Sequence, residues 1–200
     1  MSFYAVVQGR TTGIFLNWSD CKNSVVGYKG ALYKKFSTIE EAELYINKNK
    51  IVFIPDYYVY TDGASSNNGY VTAKAGIGVF FGENDSRNIS EYIGNNTNQV
   101  AELTAILRVL QIINKLKLTD NIMIVSDSEY AIRCITGYYE ASHNNLKLVI
   151  EAKSLRNNNI QFMHVKAHTG KQDIHSIGNF HADKLATNAL MATNALIIDK

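Results

Sequence analysis

This 200-residue sequence predicts a mixed α/β sheet with helices on its faces, preceded by a small α+β module. Three observations point there. From Tyr57 three strand-like runs follow one another and helix and strand patterns then alternate, the element order of a mixed sheet covered by helices. Before Tyr57, two strands, a helix, a strand and a second helix fit into fewer than fifty residues. Proline occurs once and Gly/Ser tracts are absent, so the two parts are joined by a short tether.

The elements follow in order. FYAVVQG is strand-like, GRTTG is a turn, and IFLNW returns as the second strand of a hairpin. Ser19 can cap a helix over DCKNSVVG, and ALYKKF is a third strand. Ser37 and Glu40 have capping-box spacing and open a helix through EEAELYINK. The connection is apolar at Ile51–Ile54, and ten extended residues span at most about 35 Å, so it packs or tethers closely. YYVYTDGA, AGIGVFFG and ISEYIG form an antiparallel meander. TNQVAELTAILRVLQIINK places Leu103, Ile106, Leu107, Leu110 and Ile113 on one helix face. NIMIVSD is a continuous apolar strand of the buried, parallel type. SEYAIRCITGYY and LKLVIEAKSLR are helices, IQFMHVK a last strand, and FHADKLATNALM a final helix. The resulting domains are 1–48, a tether over 49–56, and 57–200.

Composition narrows the function. Hydrophobic residues make up 46% and charged residues 19%, which excludes bulk disorder. Residues 1–50 hold seven Lys/Arg against four Asp/Glu, whereas the remainder holds thirteen against fourteen, so a basic start suits an anionic partner. Cys21 and Cys134 lack metal-site spacing and read as reduced, buried thiols, a disulfide being the alternative. MSFYAVVQGR lacks the pattern of a signal peptide, and no apolar run approaches the ~20 residues of a membrane span. The expectation is an intracellular, cytoplasmic or nuclear protein that is not secreted.

Four acidic residues stand at informative places. Asp62 and Asp127 end strands, in TDG and VSDS; Glu102 lies a turn into the first long helix; Asp183 begins the last. Each also has a plain explanation: a turn residue, a helix cap, a solvated helix position. Together, unpaired carboxylates repel unless cations neutralise them, and hard oxygen ligands suit Mg²⁺ or Mn²⁺ and not zinc. Two such ions activate water and stabilise a leaving oxygen in phosphoryl transfer.

YTDGA…NNG, AGIGVFF, TNQVAEL, IVSDSEYAI and HVKAHTG…GNFHADKLA, in that order from Tyr57 to about Ala189, resemble type 1 ribonuclease H. The resemblance implies a five-stranded ribonuclease-H-like sheet with helices on both faces. It implies hydrolysis of the RNA strand of an RNA–DNA hybrid, giving 3′-hydroxyl and 5′-phosphate ends. Asp62, Glu102, Asp127 and Asp183 become its metal-binding catalytic carboxylates, and His168 a group for proton transfer or product release. Asn68, Asn98 and Gln99 would read the minor groove, Thr97 a DNA phosphate, and Asn179 the substrate. Otherwise Asn68 holds a turn and Asn98 caps the helix. The chain departs from the family twice. GKQDIHSIGNF, between His168 and Asp183, looks about five residues longer and adds His175. Tyr138–Asn145 is short and holds no Lys, Arg or Trp, where many relatives carry a basic protrusion that grips the hybrid.

FYAVVQGRTTGIFLNWSDC…ALYKKFSTIEEAELYI, residues 3–46, resembles the small hybrid-binding domain at the start of many eukaryotic type 1 enzymes, shared with viroplasmin-like proteins. By that resemblance Trp18 and Tyr33 stack on deoxyriboses, Tyr4 supports them, and Lys34 and Lys35 contact phosphate. The alternative is that Trp18 and Tyr33 are core. A monomer needing no obligate protein partner is expected. The competing functions are another ribonuclease-H-like nuclease, such as a transposase, integrase or exonuclease, and a non-catalytic hybrid- or RNA-binding protein. The joint presence of the AEL helix, the HTG loop and ADKLA disfavours the first, and four intact carboxylates disfavour the second.

Overall fold

The chain divides into two compact units, Met1–Phe53 and Ile54–Lys200. The computed structural model describes residues 2–49, 53–68, 70 and 72–198, with side chains to residue 192.

The first unit runs β1 (Phe3–Gln8), β2 (Gly13–Phe15), α1 (Trp18–Val25), β3 (Leu32–Phe36) and α2 (Ile39–Asn49), the order the sequence predicts. β1 is central and antiparallel to both neighbours, in the order β2-β1-β3. Val6, Cys21 and Val25 form a small core beneath α1. Local readings shift at three points. β2 ends at Phe15, so Trp18 opens α1 and does not close a strand. The cap of α1 is Asn17, not Ser19: its side chain accepts from the Asp20 N–H at 2.9 Å. The capping box sits one residue later than Ser37 and Glu40. Thr38 Oγ1 accepts from the Glu41 N–H at 3.2 Å, and the Glu41 carboxylate accepts from the N–H groups of Ser37 and Thr38. Of the apolar connection, Ile51 and Val52 lie outside the described residues and Ile54 is exposed.

The second unit runs β4 (Tyr57–Ser66), β5 (Lys74–Phe80), β6 (Ile89–Gly94), α3 (Asn98–Leu116), β7 (Ile122–Ser126), α4 (Glu129–Thr136), α5 (Leu146–Leu155), β8 (Ile160–His164) and α6 (Ile174–Ile198). The sheet order is β6-β5-β4-β7-β8, a meander followed by two parallel pairings. This is the predicted five-stranded mixed sheet. All five apolar residues of the α3 stripe are buried, against Val59, Ile122 and Ile124 of the sheet and beside α4 and α5. Each such side chain stabilises by about 1.5–3 kcal/mol when fully buried, so α3 anchors this face. The opposite face takes α6, where Ala182 meets Tyr60 and Val125. Strand alternation explains the division: Val59 points to α3 and Tyr60 to α6.

Small residues set how close these helices come. A Cβ on Gly63 would collide with the α3 backbone at Ala101 and Glu102. A Cβ on Gly78 would collide with the α6 backbone at Ala182, and one on Gly178 of α6 with the ring of Tyr60. The helix α6 starts six residues before FHADKLA, so GKQDIHSIGNF is only partly loop. Asp173 ends the loop and caps the helix, accepting from the N–H groups of His175 and Ser176 at 3.1 and 3.0 Å. Cys21 and Cys134 are buried free thiols, as the sequence predicts. Among the described residues no helix is long and apolar enough to cross a membrane.

Candidate active site

Strand register brings the first two carboxylates together. The β4–β7 ladder ends with Thr61 opposite Ser126, so Asp62, inside β4 and not at its end, and Asp127, just past the end of β7, follow side by side. Gly63 then lets α3 lie against β4, which brings Glu102 to the same point. Carboxylate oxygens of Asp62, Glu102 and Asp127 lie within 4.8 Å of one another. Asp183, from α6, stands close enough to Asp62 for its charge to raise the Asp62 carboxyl, beside the group of three. Neither solvated helix position, turn nor cap describes these residues: Glu102 is 6% exposed, and the cap of α4 is Ser128, not Asp127.

The electrostatics are those of a site built for cations. Burial, reinforced by the charges of Asp127 and Asp183, pushes the Asp62 carboxyl up to about 8. Burial, reinforced by Asp62 and Asp127, holds Glu102 well above the usual carboxylate range. Glu102 Oε2 is buried with no hydrogen-bond partner among the described residues. An orphaned oxygen in an all-oxygen donor set fits a hard divalent cation, which would repay both the desolvation and the repulsion. The residues grouped to hold it are Asp62, Glu102 and Asp127, with Asp183 beside Asp62.

Neutral polar groups surround the cluster. Asn98 Nδ2 donates to Glu102 Oε1 at 3.4 Å, and Asn68 Oδ1 accepts from the Asn98 N–H at 3.1 Å. Asn68 thus ties the end of β4 to the start of α3; Gly69, of the NNG motif, lies outside the described residues. The cap of α3 is Thr97, not Asn98: its side chain accepts from the Val100 N–H at 3.3 Å. Gln99 is exposed. Asn179 is 3% exposed, and its Nδ2 donates to Asp127 Oδ2 at 3.0 Å. Its sequence position gave a substrate contact; its geometry gives a group that orients Asp127. Only its spacing from Asp183, one helical turn, signals that role in sequence. His164 Nε2 also lies 3.1 Å from the Asp127 carbonyl oxygen, a contact that sequence reasoning missed.

Three histidines follow β8, and they part company. His168 is exposed, has a left-handed backbone (φ 48°), and lines a cleft with Asn179 and Asp183. His175 turns to the rings of Tyr58 and Tyr60, and His181 stacks on Phe80 with centroids 4.5 Å apart.

The first unit presents a separate surface. Trp18 and Tyr33 are 41% and 42% exposed, so they are not core. Their rings lie 5.8 Å apart, and Tyr4 lies 5.6 Å from Trp18. Lys35 Nζ stands 5.8 Å over the Tyr4 ring. Lys34 does not join them: it alternates to the opposite sheet face, over Phe36.

Residues 55–191 match the RNase H family model. The chain belongs to the ribonuclease H family. Residues 2–46 match a second family, the ribonuclease H1 N-terminal domain. Ribonuclease H1 of Mus musculus is 27% identical over 92% of this chain and 87% of its own. Ribonuclease H of Schizosaccharomyces pombe is 28% identical over 92% of this chain and 96% of its own. The crystal structure of LC11-RNase H1 in complex with an RNA/DNA hybrid superposes on the chain with a TM-score of 0.52 and 28% identity, covering 68% of this chain and 97% of that one. The ribonuclease H match spans the sheet, all four carboxylates and His168, whereas the N-terminal match spans the aromatic surface.

Proposed function

We propose that this chain is an endonuclease that hydrolyses the RNA strand of RNA–DNA hybrids with Mg²⁺, leaving 3′-hydroxyl and 5′-phosphate ends. The observation that carries the reading is the convergence of Asp62, Glu102 and Asp127 within 4.8 Å, with Asp183 near enough to Asp62 to act on its charge, inside a ribonuclease H match. Support for the substrate comes from the ribonuclease H1 relatives and from the hybrid bound to LC11-RNase H1.

Two Mg²⁺ ions held by the four carboxylates would supply an activated water and neutralise charge on the leaving oxygen. The chain's own groups do the rest. Asn179 fixes the Asp127 carboxylate, and Asn98 does the same for Glu102. Asn68, Asn98 and Gln99 offer neutral amides to a 2′-hydroxyl, which distinguishes RNA from DNA. Thr97, after its capping bond, keeps a hydroxyl proton for a DNA phosphate. The His168 imidazole, in the cleft with Asp183, can carry a proton to the leaving oxygen. Tyr4, Trp18, Tyr33 and Lys35 hold the duplex, the rings on deoxyriboses and the ammonium on phosphate.

Labelled RNA–DNA hybrid, single-stranded RNA, double-stranded RNA and double-stranded DNA, each with Mg²⁺ or EDTA, test this. Only the RNA of the hybrid should be cut, only with Mg²⁺, and Asp127→Asn should lose at least a hundredfold in rate. Cleavage in EDTA, or full activity in the variant, rules the reading out.

A further inference from the structure

Beside the carboxylates lies a cleft of about 450 Å³ that the chemistry above uses only at its edge. Lys166, His168 and Lys171 come from the loop after β8; Ile177, Phe180 and Asp183 come from the first turns of α6. Phe180 is 59% exposed there. The walls are preformed. Asp173 caps α6, and Thr169 Oγ1 lies 2.8 Å from Ser176 Oγ, which pins the loop to the helix. The His181 ring, stacked on Phe80, lies edge-on to Phe180 at 5.8 Å. Among the lining residues Asp183 is the one carboxylate, and it sits beside the cation cluster, so Lys166 and Lys171 bring positive charge to the cleft, Lys171 within electrostatic reach of the Asp173 carboxylate just outside it.

An exposed aromatic ring in a cationic groove is the chemistry that binds single-stranded nucleic acid, with bases on the ring and phosphates on the lysines. Paired bases are stacked inside the duplex and cannot enter a cleft, whereas an unpaired nucleotide can. Phe180 precedes Asp183 by three residues, so the two side chains are neighbours roughly 4.5 Å apart along α6. A base on Phe180 would therefore adjoin the bond being cut.

We infer that this cleft holds an unpaired nucleotide of the RNA strand where that strand leaves the hybrid. The inference rests on the hybrid-cleaving function and deepens it: the enzyme favours phosphodiesters next to a junction between hybrid and single-stranded RNA. The base lies on Phe180, and the phosphates meet Lys166 and Lys171.

The test uses the 200-residue chain and hybrids of one sequence, with flush ends, a short 3′ RNA tail or a short 5′ RNA tail. The readout is the rate at the terminal bonds of the tailed end divided by the rate at the same bonds of the flush end. One tail polarity should give a ratio of roughly ten. Phe180→Ala should bring the ratio to about one, Phe180→Trp should keep it, and Lys166→Ala with Lys171→Ala should lower it. Because the readout is a ratio, a general loss of activity in a variant does not mimic the effect. A ratio of one for both tails in the parent protein, or a ratio unchanged by Phe180→Ala, overturns the inference. Failure to cut the flush hybrid at all would count against the proposed function instead.

Discussion

Ionising Asp62 works against its surroundings, since burial and the charges of Asp127 and Asp183 all favour its proton. An unfolded aspartate ionises near 3.8, whereas the folded group waits until about 8. Between those values the folded chain holds a proton that the unfolded chain has released, so the stability tied to Asp62 falls as pH rises across the window. In EDTA, Asp62→Asn should therefore melt above the parent protein by a margin that grows from pH 5 to pH 8, and Mg²⁺ should shrink that margin by rescuing the parent. A margin independent of pH in thermal melts would contradict the assigned burial. Asn179 makes a different prediction. It holds Asp127, and losing an orienting partner of a metal ligand typically costs ten- to a hundredfold. Asn179→Ala should lower kcat by about that factor with little change in KM; a KM effect alone would return Asn179 to a direct substrate contact. None of this was legible one residue at a time. Asp62 resembles any aspartate before glycine, and the meeting of Asp62 with Asp127 depends on the register that ends at Thr61 and Ser126.

Elements were more legible than their ends. Every strand and helix of the predicted order is present, because apolar periodicity survives in each run: five buried positions on α3, a continuous apolar β7. The start of α6 was not legible. Its first turns hold Gly178, a poor helix former, and leave Ile174, Ile177 and Phe180 exposed, so no buried stripe announces a helix. The glycine is there for the ring of Tyr60, which sequence alone does not place. The capping residues misread as Ser19 and Ser37 lie one or two positions from the actual Asn17 and Thr38, where several capping residues compete within one turn. Close helix–sheet contact gives the prediction at this scale. Gly63→Ala would drive a Cβ into the backbone of α3, and overpacking of this kind costs about 1–3 kcal/mol or more. The variant should melt several degrees lower and lose activity beyond its loss of folded fraction, since the contact also sets where Glu102 stands. An unchanged melting temperature would mean that α3 can retreat freely.

At the scale of the whole molecule, the net positive charge lies in the first fifty residues, with the Trp18 and Tyr33 rings, while the larger unit is nearly neutral. The segment between α4 and α5 holds no Lys, Arg or Trp from Tyr138 to Asn145. On the proposed reading most of the grip falls to the first unit and the chemistry to the second, and tethering would raise the local concentration of substrate at the carboxylates. Removing residues 1–50 should raise KM on long hybrids roughly tenfold or more while kcat changes far less. Steady-state kinetics on long and short hybrids would decide it, and an unchanged KM would refute the division of labour. The placement of Lys34 has one more consequence. β3 closes one side of its sheet, and an open strand side is a template on which a second chain can add itself. A copy that added through its own β3 would bring Lys34 and Lys35 against the same two lysines, and like charges opposite one another are destabilising. Lys34, turned away from Trp18 and Tyr33, thereby guards the module against sticking to itself, and its loss would be felt in solubility and shelf life before it was felt in turnover.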